Sequence, residues 1–430
     1  MVMQSFFWKK FDNSNCKGYN LIKPLKDMKN VSPNGRSPEE RILFASSKII
    51  QSQEDAQVIE EIISGGVNWE RLIGLAASCE ILPLVIKNIL RAENSLIPKP
   101  ALSKIYKRCQ KEYTLNNLIL WNEFKEILRI CGKENIPILA IKGIALTELL
   151  YKDTGVRRTS DIDIMINTKD LLRLEPSLRK LGYGDDPDEI AYLPTRKDIL
   201  KKSQHLSLKK AGSLGYPIVL NLHWDILSPL RTVKNLTSGF WQRAAAQEVR
   251  GERIKTLSWE DTLLVSIFEI YKDFIQKNNF LAKRYLDISQ IIELYGDCIN
   301  WQEFIRHSNG YGVRGLVYFA LSSHKELCHT RILPQEVLEK LKPSAVKRFF
   351  INKFIRMLDL ANPMFGLRKI IFYFFVSEVI LFPNRWRVFL IRSFSWAYPG
   401  IAHYKNLKLL NYFAGQSLWL SRRFLKKVIA

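Results

Sequence analysis

Between residues 134 and 225, short apolar runs interrupt a chain whose other apolar residues recur at helical spacing. Three of these runs have the length and composition of buried strands, residues 136–141, 161–166 and 218–224. After Gly143 the apolar residues resume helical spacing, and a second helical pattern runs through Leu171, Leu174 and Leu178. Strands that alternate with helices predict an α/β segment in the middle of the chain.

Helical patterns dominate on both sides of this segment. Ser37, Ser258 and Asn300 each stand as an N-cap residue ahead of an apolar series. We therefore predict an α+β fold that is predominantly helical overall, with a small α/β core flanked by helical domains. We divide the chain into a flexible N-terminal arm (1–36), an N-terminal helical domain (37–133), the α/β core (134–256), a helical domain (257–345) and a basic aromatic C-terminal helical region (346–430).

The composition excludes several classes of protein. The 430 residues carry 65 Lys and Arg against 42 Asp and Glu, a formal net charge of +23. The six cysteines are scattered singly, which argues against a disulfide scaffold or a structural zinc module. No apolar run resembles a secretory signal or a membrane span. We expect a cytoplasmic protein.

The last part of the chain, residues 361–430, concentrates the positive charge. It holds eleven Lys and Arg against the single acid Glu378, and aromatic rings are interleaved with the charges. Three interpretations stay open: the tail contacts a nucleic-acid backbone with its rings stacked on bases, it lies peripherally on an anionic membrane, or it packs on the helical domain.

Two acidic residues on one predicted strand point to phosphoryl chemistry. Asp161 and Asp163 share a face of an extended segment, about 6 to 7 Å apart along the backbone, while Ile162 and Ile164 face the core. Carboxylates at this spacing suit Mg²⁺, which binds substrate phosphates as well. In a two-metal site one ion activates the attacking hydroxyl and the other neutralises the leaving pyrophosphate.

A candidate phosphate-binding turn precedes this strand. Lys142 and Gly143 lie between a predicted strand and a predicted helix, where backbone N–H groups are free and glycine allows close approach. Arg157 and Arg158, on the loop before the acidic strand, can meet a triphosphate, or one of them can form a structural ion pair with Asp153 or Asp163. By contrast, the G-x-G-x-x-G match at 310–315 follows a helix, so we interpret it as a turn between helices.

The order of these motifs resembles a known family. The motifs are Ile-Lys-Gly at 141–143, Gly-Val-Arg at 155–157, Ser-Asp-Ile-Asp at 160–163 and Leu-His-Trp at 222–224. They are similar to the uncharacterised nucleotidyltransferase family, which is related to the DNA polymerase β-type nucleotidyltransferase superfamily. The resemblance extends over residues 38–330 and includes Asn68-Trp69, Leu286-Asp287 and Asn300-Trp301.

The resemblance implies a small mixed sheet, a nucleoside triphosphate substrate, two Mg²⁺ ions and transfer of a nucleoside monophosphate to an acceptor hydroxyl. Asp161 and Asp163 match the family's metal-binding pair, and Lys142 with Gly143 matches its phosphate-binding turn. The family has a further carboxylate two residues before the His-Trp pair, and this chain has Asn221 there.

This substitution leaves alternatives open. Asparagine offers a neutral oxygen to a metal but cannot accept a proton from the acceptor. His223 shares the face of Asn221 and is a candidate base, whereas Asp225 would need a bulge or turn to reach the metals. The sequence therefore predicts an Mg²⁺-dependent nucleotidyltransferase, with two alternatives: a degenerate nucleotide-binding protein of the same fold, or a protein tethered to membrane or RNA by its basic tail.

Overall fold

The computed structural model describes residues 37–49, 51–193, 195–213, 215–227, 236–276, 282–328 and 333–356. The predicted N-terminal arm and the basic tail at 361–430 lie outside these residues. The division of the chain into five parts stays a prediction.

A mixed sheet of seven strands holds the middle of the described chain together. Its strands are β1 (Ile138–Gly143), β2 (Ile162–Ile166), β3 (Gly184–Asp185), β4 (His205–Lys210), β5 (Ile218–His223), β6 (Ala245–Val249) and β7 (Glu252–Thr256). Their order across the sheet is β3-β4-β5-β2-β1-β7-β6. The β2–β5 and β1–β7 pairs are parallel and the other pairs antiparallel. The predicted α+β class with a mixed sheet is confirmed.

Helices precede, interrupt and follow the sheet. Those up to the sheet are α1 (Pro38–Ala45), α2 (Gln53–Ser64), α3 (Trp69–Ser78), α4 (Leu82–Ile89) and α5 (Lys99–Lys133). Those between strands are α6 (Ile144–Leu150), α7 (Thr168–Lys180), α8 (Pro187–Tyr192), α9 (Arg196–Lys202) and α10 (Leu236–Arg243). Those after the sheet are α11 (Trp259–Gln276), α12 (Ala282–Tyr295), α13 (Trp301–Gly310), α14 (Arg314–Cys328), α15 (Gln335–Leu341) and α16 (Ala345–Arg356). Short 3₁₀ turns cover Thr154–Val156 and Gly296–Cys298.

The two faces of the sheet are built differently because side chains alternate along each strand. Ile162, Ile164 and Ile166 of β2 point to one face, in a buried cluster with residues of α5 and α7 such as Phe124 and Leu174. The opposite face of β2 carries Asp163, which is also buried. Burial of both faces explains why every residue of the strand except Asp163 is apolar.

The predicted helix starts at Ser258 and Asn300 are confirmed by their caps. The Ser258 hydroxyl accepts the backbone N–H of Asp261 at 3.3 Å, and the Asn300 side chain accepts that of Glu303 at 3.1 Å. Asn68 caps α3 in the same way, with its side chain 3.0 Å from the N–H of Arg71. The glycine-rich stretch at 310–315 is the predicted turn, since it joins α13 to α14.

None of the helices in the described part of the chain combines the length and the apolar composition that crossing a membrane requires.

One buried histidine gives the fold a measurable dependence on pH. The His324 ring on α14 lies 2.7 Å from the Ser289 hydroxyl of α12, and burial, helped by the charge of Lys48, lowers its pKa to about 4. Between that value and the unfolded pKa of about 6.5, only the unfolded chain binds the proton. His324 therefore stabilises the fold at neutral pH, and this contribution is lost as the pH falls.

We predict that the free energy of unfolding of the wild type, measured with urea, is lower at pH 5 than at pH 7. The same change of pH should lower the free energy of unfolding of the His324→Gln variant by less. The histidine accounts for about 2 kcal/mol of the wild-type loss between these pH values. Equal losses in the two proteins would show that His324 titrates as freely in the folded chain as in the unfolded one.

Candidate active site

A row of polar side chains crosses the face of the sheet that is opposite Ile162 and Ile164. Each of its four residues pairs with the next one across neighbouring strands, in the order Lys142 of β1, Asp163 of β2, Asn221 of β5 and Ser207 of β4. The register of β1 and β2 shifts between Ala140 and Lys142, and this irregularity brings Lys142 opposite Asp163. Strand pairing alone thus assembles one ammonium, one carboxylate, one amide and one hydroxyl from distant parts of the sequence.

Asp161 and Asp163 form an acidic pair, as the strand pattern predicts. The Asn221 amide nitrogen lies between them, 3.3 Å from Asp161 Oδ2 and 3.1 Å from Asp163 Oδ1. Burial and the neighbouring Asp163 raise the pKa of Asp161 to about 6. Burial also opposes ionisation of Asp163, but Lys142 and His223 outweigh it and hold the pKa of that carboxyl well below its usual range. Asp163 is therefore ionised and paired with cations or donors, whereas Asp161 has no comparably strong counter-charge.

His223 lies beside Asp163 and supports it. Its Nε2 is 2.8 Å from Asp163 Oδ1, while Nδ1 lies 3.4 Å from the backbone oxygen of Asp225. Burial lowers the pKa of the ring, so His223 is neutral at pH 7 and Nε2–H is the donor to the carboxylate. The side chain of Asp225 accepts the backbone N–H of Ile226 at 2.7 Å.

Gly143 allows the acidic pair and the end of β1 to approach each other. Its φ of +67° lies in the region that favours glycine, and a Cβ there would lie 2.8 Å from the backbone oxygen of Asp161. The same Cβ would lie 3.3 Å from Asp163 Oδ2. The predicted Lys-Gly turn therefore faces the acidic pair directly.

Lys142 bridges two carboxylates. Its Nζ lies 3.2 Å from Asp163 Oδ1 and 3.4 Å from Oε1 of Glu269 on α11. Burial disfavours the ammonium, but Asp163, Glu269 and Asp161 together outweigh it and raise the pKa of Lys142. The ammonium is therefore charged and joins the sheet to the helices that follow it.

The two candidate arginines are directed to different partners. Arg157 is buried and forms two bonds to Asp287 of α12, Nε to Oδ1 at 2.7 Å and a terminal nitrogen to Oδ2 at 2.8 Å. Arg157 thus forms a structural ion pair, but its acid is Asp287, and the predicted partners Asp153 and Asp163 were wrong for this residue. Arg158 is partly buried, with its guanidinium 5.4 Å from the centre of the Tyr216 ring.

A buried asparagine of α5 holds the loop that leads into β2. The Asn117 side chain donates to the backbone oxygens of Thr154 and Arg157 at 2.7 and 2.9 Å, and it accepts the N–H of Thr159 at 3.1 Å. These bonds satisfy three backbone groups that have no strand partner. They fix the chain two residues before Asp161.

Several charged residues of the site were not predicted. Glu269, Lys272 and Asp273 of α11 and Arg284 of α12 are all buried or nearly so and lie in one ion network. A sequence signal exists for α11, because its charges interrupt a helix that is apolar on nearly every side. Nothing in the local pattern indicates that these charges meet Lys142.

The side chains around the acidic pair can supply some of the ligands that Mg²⁺ requires. In the described residues, no three His, Cys, Asp or Glu side chains converge as a metal cluster. Mg²⁺ in phosphoryl-transfer sites is held by one or two carboxylates, and water and substrate phosphates complete the shell. Asp161 and Asp163 fit that pattern, and Asn221 can add its amide oxygen if the amide turns by half a rotation.

Comparison with known proteins found a matching family model and a solved structure of low similarity. Residues 65–344 match the model of a family described as uncharacterised nucleotidyltransferase, a range that contains every site residue above. Among solved structures, an antigenic nucleotidyltransferase-like protein from Paracoccidioides brasiliensis is 17% identical, with coverage of 54% of this chain and 95% of that chain and a TM-score of 0.27. No curated protein matches the chain.

We predict that Gly143→Ala destabilises the protein by about 2 to 4 kcal/mol, because the new Cβ meets backbone in a conformation that alanine avoids. Gly74→Ala is the matched control, since Gly74 lies in helix α3 with no atom near its added Cβ. The control should be stabilised by about 0.5 to 1 kcal/mol. Urea unfolding measures both, and similar changes in the two variants would contradict a tight contact at Gly143.

Proposed function

This chain belongs to the uncharacterised nucleotidyltransferase family, and from that premise we propose that it is an Mg²⁺-dependent enzyme. The proposed reaction transfers a nucleoside monophosphate from a nucleoside triphosphate to an acceptor hydroxyl. The observation that carries the proposal is the acidic pair, Asp161 and Asp163, which lies within van der Waals reach of the glycine turn at 143.

Each residue of the site has a part in this proposal. Asp161 and Asp163 hold the metal, and the Asn221 amide oxygen is an added neutral ligand. Bound Mg²⁺ would supply activation of the attacking hydroxyl and neutralisation of the leaving pyrophosphate. Lys142 offers its ammonium to a phosphate oxygen, and Gly143 lets that phosphate approach the backbone.

His223 acts as a positioning residue in this scheme. Its Nε2–H bond to Asp163 at 2.8 Å orients the carboxylate, in the way that outer groups orient metal ligands in other sites. Use of the same nitrogen as a base would require that bond to be given up. We therefore assign His223 to holding Asp163, and not to taking the acceptor's proton.

We predict that the purified chain, with labelled nucleoside triphosphates, Mg²⁺ and cell extract, transfers label to an acceptor. The Asp161→Asn/Asp163→Asn variant should lose at least about 100-fold of this transfer, because both charged ligands are gone. Asp297→Asn, at an exposed position on the 3₁₀ turn after α12, is the control and should transfer as the wild type does. Transfer that persists in the double variant would reject this site.

A second function is favoured by one observation, the amide at position 221. Its N–H group faces both carboxylates, and Lys142 faces Asp163, so the chain itself already neutralises much of the charge that a cation would neutralise. On this alternative the protein binds a nucleotide without turning it over. Calorimetry would then show nucleotide binding while no label is transferred.

Asn221→Asp separates the two functions. A third carboxylate is nearly isosteric with the amide, and we predict that it tightens Mg²⁺ or Mn²⁺ binding by about tenfold or more. If the wild type is degenerate, this variant should also gain label transfer. Unchanged metal affinity, measured by calorimetry with Mn²⁺, would show that position 221 does not face the metal.

A further inference from the structure

One buried carboxylate collects three cations. Glu269 Oε1 lies 2.9 Å from Lys272 Nζ and 3.4 Å from Lys142 Nζ, while Oε2 lies 3.2 Å from a terminal nitrogen of Arg284. These four side chains come from β1, α11 and α12. Three positively charged donors that converge on one anion form the arrangement that proteins use for a phosphate group.

Two of the three cations that contact Glu269 also contact a second acid. Arg284 has a second acid, since its Nε is 2.7 Å from Asp273 Oδ2, and Lys142 has Asp163. Lys272 has Glu269, and burial together with the nearby Lys142 lowers the pKa of its ammonium. Burial raises the pKa of Glu269, but its three cations outweigh this and bring that pKa well below the usual range. A phosphate group, which has more acceptor oxygens than one carboxylate, can accept from all three of these donors.

The cluster also lies next to the acidic pair. The single ammonium of Lys142 contacts both Asp163 and Glu269, so it links the Glu269 carboxylate to the proposed metal ligand. In nucleotidyl transfer the phosphates of the substrate bind the metal and the cationic side chains together. A phosphate bound to that metal would therefore lie close to the cations that Glu269 contacts, because Lys142 contacts both groups.

We propose that Lys142, Lys272 and Arg284 bind a phosphate group of the triphosphate, and that the Glu269 carboxylate holds this position until the triphosphate displaces it. The inference rests on the proposed function for its ligand, a triphosphate. It adds two binding residues from the helical region, Lys272 and Arg284, and an internal competitor, Glu269. Because Glu269 is a long side chain, rotation of its torsions can withdraw the carboxylate while α11 stays where it is.

The test is calorimetric binding of inorganic tripolyphosphate to the full chain without nucleoside and without Mg²⁺. Glu269→Gln should bind it about tenfold or more tightly than the wild type, because an internal anion no longer competes for three donors. Lys272→Met and Arg284→Met should bind it more weakly than the wild type. Glu293→Gln is the matched control, on α12 roughly 14 Å along the helix axis from Arg284, and should bind as the wild type does.

Two results would overturn the inference. One is a folded Glu269→Gln that binds tripolyphosphate no more tightly than the wild type, including the case in which neither binds it. If Glu269→Gln does not fold, the charge-balanced Glu269→Gln/Lys272→Met variant is compared with Lys272→Met alone. It should bind more tightly than the single variant, and equal affinity is the second contrary result.

Binding of tripolyphosphate is measured without any transfer of label, so the two proposals can fail separately. If no label is transferred in any assay but Glu269→Gln tightens tripolyphosphate binding, the phosphate site stands and the proposed reaction fails. If label is transferred but Glu269→Gln has no effect on tripolyphosphate, the reaction stands and the role of Glu269 fails.

Discussion

Repulsion between two carboxylates on one face of a strand is the constraint around which this molecule is arranged. Asp161, directly before β2, and Asp163 within it both face the Asn221 amide, and Asp163 is buried. A buried carboxylate is costly unless it is paired and hydrogen-bonded. The fold meets this cost with an ammonium from β1 and an amide and an imidazole from β5, all within 3.2 Å of the same Asp163 oxygen.

The loop that leads into β2 depends on contacts far outside the strand. The loop before β2 is held by Asn117 of α5 and by the pair of Arg157 with Asp287 of α12. Loss of one partner from such a buried pair typically costs about 3 to 5 kcal/mol. The helical regions are therefore part of the site, since α5 and α12 fix its position and α11 supplies Glu269 and Lys272.

Much of the centre of the fold could be predicted from the sequence because its signals are local. β1, β2 and β5 are apolar runs, and the Lys-Gly turn and the acidic pair lie in or directly beside two of them. β4 was not predicted, since Leu206 and Leu208 are its only large apolar residues. The β6–β7 hairpin was missed as well. Its turn uses Arg250 and Gly251 at φ of +48° and +79°, and arginine is an unusual residue in that conformation.

The rest of the site could not be predicted because it arises from tertiary contacts. No local rule indicates that Glu269 meets Lys142 or that Asp287 pairs with Arg157, which are separated by 127 and 130 residues. The register shift in β1 is equally invisible in the sequence, yet it decides that Lys142 faces Asp163.

The crystallographic position of Mn²⁺, bound with a triphosphate analogue that resists cleavage at the α-phosphate, tests the central claim most directly. The account predicts an anomalous peak in contact with carboxylate oxygens of both Asp161 and Asp163. A bound analogue whose Mn²⁺ touches neither carboxylate would contradict it.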